Sequence, residues 1–289
     1  MTMPDRPWPA IELARRQRRP RLPFCIDHTC VGSVAVEHRD ALQRWAGLLQ
    51  VGDDGIRLGI PPPERDAALA DINAGLRDQG LIRAWRNETY PVTDPASGRL
   101  LARFERAASR FWGTLTFGAH ANGWVAGTDG EPAALWIAQR SFDKATDPGA
   151  HDNLVGGGVP LGQTPFQTLV REGWEEAGLP PAVMARARPG RVLELRRDIP
   201  EGLQFERIHG YDLQLQPGET PSNQDGEVHA FERLLLAEAL AVAAGSAMTV
   251  DAALVTLDFA LRRGLLPAHT QAALAARAGS LWVGEAAAR

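Results

Sequence analysis

Glu172, Glu175 and Glu176 fall within five residues of one another in "GGGVPLGQTPFQTLVREGWEEAGL", which begins at residue 156. On a helix, residues three and four apart are neighbours, so these carboxylates share one face. Like charges so placed cost about 0.2–0.5 kcal/mol per pair on an exposed helix. They also lie toward the C-terminal half, where the helix dipole disfavours anions. A solvated acidic face is the plain account of a lone Glu-Glu pair. Here Arg171 adjoins the trio, and a glycine-rich turn with Gly157 and Gly158 precedes it. That combination points to a cation site. Mg²⁺ takes oxygen ligands, keeps several waters and binds substrate phosphates, so a carboxylate trio on a rigid helix suits it.

The elements that must hold this trio follow from local signals. Thr164 is an N-cap, Pro165 fits the first helical position and Gln167 completes a capping box. Gly178 and Pro180 end the helix. Phe166, Leu169, Val170, Gly173, Trp174 and Ala177 form the predicted apolar face. Around it, "FWGTLTFGAH", "ALWIAQRS", "RVLELRRDI" and "RIHGYDLQLQ" read as strands, and the Ala-rich segments after "DGEVHAFERL" as covering helices. This pattern argues for an α+β or α/β sandwich. Upstream, "FCIDHTCVGSVAVEHRDALQRW" reads as strand, turn, strand and short helix. "GIPPPERDAALADINAGLRDQG" reads as loop then helix, and "YPVTDPASGRLLARFERAA" as a hairpin. The expected organisation is a poorly ordered arm (1–20), a small α+β extension (21–108), a catalytic domain (109–270) and a helical tail (271–289).

Composition narrows the classes. The 289 residues are 44% hydrophobic and 23% charged, enough for a sizeable core. A net charge of −4 gives no support for a nucleic-acid binder, and no apolar run approaches the length of a membrane span. The N-terminus has no apolar signal region, which sets the expectation of a cytoplasmic protein. Cys25 and Cys30 then read as two thiols in strands rather than a disulfide framework.

The charged stretch resembles the Nudix box, G-x5-E-x7-R-E-U-x-E-E-x-G-U, with U a bulky aliphatic. Gly157 aligns with the first glycine, Arg171 and Glu172 with R-E, Glu175 and Glu176 with E-E, and Gly178 and Leu179 with G-U. Gln163 stands in place of the first glutamate and Gly173 in place of the aliphatic. The resemblance implies a Nudix α/β/α sandwich with a mixed sheet, preceded here by the small α+β domain. It implies metal-dependent cleavage of a diphosphate, with Glu172, Glu175 and Glu176 ligating Mg²⁺ or Mn²⁺ and Arg171 orienting a carboxylate. Gln163 offers only a neutral hydrogen bond, which predicts lower metal affinity or fewer ions. Gly173 is expected to relieve crowding where the helix packs on the sheet, at about 1 kcal/mol of helix propensity relative to Ala.

Glu175 and Glu176 on the helix, and Glu227 in "NQDGEVHAFE", are the catalytic carboxylates to weigh; Asp225 and Glu227 also suit a plain turn. The flanking segments "WRNETYPV", "FERAASRFWGTLTFGAHANGW", "DGEVHAF" and "LDFALRRGLL" are similar to a Nudix subfamily with an N-terminal extension, found in some fungi fused to thiamine pyrophosphokinase. That resemblance implies hydrolysis of thiamine diphosphate, or its oxidised and damaged analogues, to the monophosphate. Arg140 and Lys144 are candidates for the phosphates, Gly157 and Gly158 for their approach to the backbone, and His120, Asn122 and Trp124 for a heteroaromatic ring. The bland alternatives are a solvated hairpin end for Arg140 and Lys144 and a core position for Trp124. Arg106 and Arg110 read equally as a solvated helix face. Two other functions compete: a Nudix pyrophosphatase on a nucleotide such as ADP-ribose, and a non-catalytic binding module. The expected partner is a small-molecule diphosphate, with no nucleic acid or membrane, and a homodimer stays open.

Overall fold

The computed structural model describes residues 8–284. The N-terminal part builds a four-stranded sheet from β1 (Arg21–Ile26), β2 (Thr29–Ala35), β3 (Leu49–Val51) and β4 (Ile56–Leu58), in the order β2-β1-β4-β3. It also carries the hairpin β5 (Thr89–Thr93) and β6 (Leu100–Glu105). Its helices are α1 (Ala10–Leu13), α2 (Arg39–Leu42), α3 (Pro62–Asp78) and α4 (Ala108–Trp112). Leu69, Ile72 and Leu76 of α3 are fully buried in one apolar cluster with Phe24, Tyr90, Phe104 and Trp112.

The second part is a seven-stranded mixed sheet. Its path is β11 (Arg188–Ile199), β12 (Gly202–Gln214), β7 (Leu115–Ala126), β8 (Pro132–Arg140) and β13 (Val228–Leu235), with β9 (His151–Asp152) on β8 and β10 (Val155–Gly158) on β7. β12 and β7 run parallel and the other pairs antiparallel. Nearly continuous burial along β7 means both sheet faces are covered. Ala119 and Ala121 join the cluster under α5 (Pro165–Ala177) and α6 (Pro181–Met184). Trp124 joins the opposite cluster, under α7 (Leu236–Ala243), α8 (Val250–Arg262) and α9 (Ala268–Ala278). The result is the expected α+β sandwich with a mixed sheet and an N-terminal α+β part. Among the described residues no helix is long and apolar enough to cross a membrane.

Two expectations fail. The first 20 residues are not all a loose arm: residues 1–7 lie outside the described residues, but Trp8, Ala10, Ile11 and Ala14 are buried against α8. Backbone bonds from Arg196 N to Ala14 O (2.8 Å) and from Arg19 N to the Asp198 carboxylate (2.9 Å) tie the basic run to β11. The basic run concealed this, because part of its attachment is made by main-chain groups that composition does not reveal. Cys25 and Cys30 are joined by a disulfide rather than free. The β1–β2 register sets them opposite each other, with Cα atoms 3.9 Å apart, a proximity that spacing in sequence does not reveal.

Candidate active site

Helix α5 forms where the capping signals place it. Thr164 Oγ1 accepts from Gln167 N (3.2 Å), and Gln167 Oε1 accepts from Thr164 N (2.9 Å). Gly178 closes the helix in the left-handed region, with φ 62°. The buried face differs from the periodic one. Trp174 is 53% exposed, while Thr168 and Glu176 are buried. Gly173 is needed for space, but against α6 rather than the sheet: a Cβ there would meet Met184 Sδ at 2.5 Å.

Arg171 ties two of the trio together. Its guanidinium donates to Glu172 Oε1 (2.7 Å) and Glu175 Oε2 (2.5 Å), and more weakly to Gln163 Oε1 (3.4 Å), which also accepts from Thr168 Oγ1 (2.9 Å). Gln163 thus makes the neutral bond foreseen for it. Burial raises the Glu172 carboxyl above its ordinary range, against the pull of Arg171. Glu176 is pushed up to about 8, first by burial and then by the Glu172 charge, with Lys144 opposing. Among the described residues, Glu176 accepts from Gly156 N alone, at 3.3 Å.

The glycine strand lets these groups approach. A Cβ on Gly157 would lie 2.5 Å from Glu172 Oε1, and one on Gly156 2.7 Å from the His120 ring. One on Gly158 would strike the Tyr90 hydroxyl. Gly156, Gly157 and Gly158 edge a cleft of about 380 Å³, also lined by Arg106, Arg110, Arg140, Arg197 and His120. Its carboxylates are Asp147, Asp152, Asp198, Glu201, Glu206 and Asp251. Beside it, Lys144, Asp152, Glu176 and Glu227 surround a cavity of about 10 Å³, the scale of one water.

The remaining candidates divide. Arg140 lines the cleft and donates to Asp152 (2.9 Å); His120 lines it and contacts Asn153 (3.1 Å). Lys144 is ion-paired with Glu227, which also lies 3.5 Å from Arg86. Burial raises Glu227, but Lys144 and Arg86 outweigh it and hold the carboxyl below its ordinary range. Asp225 accepts from Glu227 N and shapes the turn. Asn122 and Trp124 do not reach the cleft. Asn122 is enclosed by Asp212, Val255, Asn153 and Thr256, all within 3.2 Å. Trp124 is packed in the core, with the Arg263 guanidinium 4.5 Å over its ring. Alternation along β7 turns both toward α8, where the helix covers them.

Sequence reasoning left Arg106 and Arg110 undecided and missed Glu206, Gln204 and Asp251. Arg110 Nη2 lies 3.3 Å from Glu206, and Gln204 Nε2 bridges Glu206 (3.0 Å) and Asp251 (2.9 Å). Arg110 keeps Glu206 ionised against burial, while burial and then the Glu206 charge push Asp251 up. The available signal was a pair of polar residues two apart, Gln204 and Glu206, inside an otherwise buried strand.

The donor set fits a hard divalent cation by its chemistry: three carboxylates on one helix, Glu172 half-buried and Glu176 buried, both pushed toward protonation. Among the described residues no three His, Cys, Asp or Glu side chains converge at ligand spacing, and Arg171 bridges Glu172 and Glu175.

Residues 116–253 match the NUDIX domain model and residues 9–116 a domain of unknown function, DUF4743. Nudix hydrolase 20, chloroplastic, of Arabidopsis thaliana is 34% identical over 261 residues, spanning 85% of this chain and 68% of the relative. Nudix hydrolase 24, chloroplastic, of the same plant is 33% identical over 253 residues, with the same coverage of each chain. The crystal structure of DR0079 from Deinococcus radiodurans is 25% identical with a TM-score of 0.46, covering 60% of this chain and 99% of that one. With the box residues assembled on α5 and β10, and with relatives this similar over most of its length, the chain belongs to the Nudix hydrolases.

Proposed function

We propose that this hydrolase cleaves the diphosphate of thiamine diphosphate, or of its oxidised and damaged analogues, to the monophosphate and phosphate. The observation that carries this reading is the charge pattern of the cleft beside the α5 glutamates. Four arginines can meet a diphosphate, while six carboxylates line the same walls. Such walls favour a substrate whose non-phosphate part is a cation, as a thiazolium is, over a nucleotide.

Glu172, Glu175 and Glu176 would hold the divalent cation, which when bound neutralises phosphate charge and acidifies water. The protein does the rest. Arg106, Arg110 and Arg140 bind and orient the diphosphate. The small cavity between Glu176 and Glu227 places a water. That water's oxygen bonds to the terminal phosphorus as the bridging P–O bond breaks, and the bridging oxygen leaves with the monophosphate. With Lys144 on Glu227 and Arg140 on Asp152, Glu176 is the remaining carboxylate of that cavity and would take the water's proton once the bound cation keeps it ionised.

The test is phosphate release from thiamine diphosphate, oxythiamine diphosphate, ADP-ribose and NADH, with and without Mg²⁺, the nucleotides being assayed with added phosphatase. Mg²⁺-dependent release from the thiamine compounds, reduced at least a hundredfold in Glu176→Gln, is expected. Turnover of the nucleotides alone would discard the thiamine assignment. Silence across the panel would favour a binding module.

A further inference from the structure

Residues 15–21 hold five arginines in seven positions, within a chain of net charge −4. The run lies along β11, the edge strand of the large sheet. Arg196 N donates to Ala14 O (2.8 Å) and Asp198 N to Arg16 O (2.9 Å). Arg18 N and Arg19 N both donate to the Asp198 carboxylate, and the Arg21 guanidinium lies 3.5 Å from it. The charge of Asp198 is therefore already opposed, while the side chains of Arg16 and Arg18 stay out of the attachment. Among the described residues these two side chains make no hydrogen bond or ion pair, and both are exposed. With Arg19 and Arg197 they line a hollow of about 260 Å³, in which Asp198 is the single lining carboxylate. Arg197 and Asp198 also line the catalytic cleft, so the hollow adjoins its mouth.

We propose that the basic run is an electrostatic rim, in which Arg16, Arg18, Arg19 and Arg197 attract an anionic diphosphate from solution and deliver it to the cleft. The inference rests on the reading of that cleft as a diphosphate site. The need for a rim follows from the cleft itself. Six carboxylates line its walls, and they repel a diphosphate that approaches. Exposed guanidinium groups at the mouth offset that repulsion, provided they lie within about a Debye length, roughly 8 Å at physiological salt. Fields of one sign at a cleft mouth raise the local concentration and the encounter rate of an oppositely charged ligand. The rim reads the phosphates alone, so it serves intact and damaged substrates equally.

The test compares the full-length wild type with Arg16→Gln/Arg18→Gln. The control is Arg188→Gln/Arg233→Gln, which removes the same charge elsewhere. Arg188 is exposed at the far end of β11, about 30 Å from Arg197 at the rise of a strand, and Arg233 is exposed on β13 at the opposite edge of the sheet. Each protein is assayed for Mg²⁺-dependent phosphate release at about 0.01 M and about 1 M KCl, where the Debye length is roughly 30 Å and 3 Å. At low salt the rim variant should lose at least about fivefold in kcat/KM with kcat unchanged, and the gap should close at high salt. The control should stay within about twofold of the wild type at both salts. The rim variant should melt with the wild type, since main-chain groups make the attachment. No loss, an equal loss at both salts, or an equal loss in the control overturns the proposal. If no diphosphate is hydrolysed, the function reading fails and the rim is read separately, by calorimetric titration of the same proteins with inorganic pyrophosphate. Weaker binding by the rim variant at low salt alone then supports the rim, and equal binding by all three proteins overturns it.

Discussion

Replacing Gly157 with alanine isolates what the glycine strand does for the acidic helix. Gly157 lies in β10 opposite Ala119, with no left-handed backbone to strain, so the added methyl acts through space alone. Its Cβ would sit 2.5 Å from Glu172 Oε1, 2.6 Å from Cδ and 2.7 Å from Cγ. Ordinary contact needs at least 3.4 Å, so the carboxylate must move by roughly 1 Å. It cannot do so and keep its 2.7 Å bond to Arg171, which also positions Glu175. A displacement of about 1 Å costs about a hundredfold in rate, or about 2.7 kcal/mol of transition-state stabilisation. Folding should change little. A part-exposed ion pair contributes about 0–1 kcal/mol, and Gly→Ala returns about 0.4–1 kcal/mol by restricting the unfolded chain. The assay is kcat/KM for phosphate release at saturating Mg²⁺ together with a thermal melt. Gly59→Ala, with open space around its Cβ, is the control. Wild-type kcat/KM in a normally melting Gly157→Ala protein would refute the view that Glu172 works from its seat over Gly157.

Three further outcomes are expected. Trp124→Ala should lower stability by about 3–5 kcal/mol in urea titrations with KM unchanged; a raised KM at normal stability would return Trp124 to the pocket. Gly173→Ala should destabilise by about 1–3 kcal/mol through Met184, outweighing about 1 kcal/mol of helix propensity, and should cost nothing further in a Met184→Ala background; a gain in the wild-type background would show that Met184 moves freely. Burial, aided by Arg207, lowers His209 from 6.5 to about 4. Below about pH 6.5 the unfolded chain therefore takes up a proton that the folded chain refuses, so stability is full above that pH and falls as pH drops toward 4. Between pH 7 and pH 5 the loss is about 2 kcal/mol, and a His209→Asn protein should show a correspondingly flatter pH dependence in urea titrations.

The sequence by itself determined the charged helix. Its caps, its limits and its Arg171–Glu172–Glu175–Glu176 set depend on contacts between residues at most a few positions apart, and such contacts are written in spacing. The strands and covering helices were legible for the same reason, since strand and helix periods are local, whereas the mixed sheet was implied by the resemblance to the Nudix box. The tertiary structure decided what faces the cleft. Asn122 and Trp124 share a strand with His120 and alternate correctly with it, yet α8 covers them and leaves His120 at the cleft. Arg106 and Arg110 have the spacing of a solvated face, but Arg106 in the turn before α4 and Arg110 on α4 line a cavity shared with the catalytic domain's Ile199, Glu201 and Glu206. Gln204, Glu206 and Asp251 meet only because β12 and the start of α8 come together in space. The burial that shifts the Glu176 carboxyl and the cavity that Tyr90 lines both depend on distances across the chain, which residue order alone does not encode.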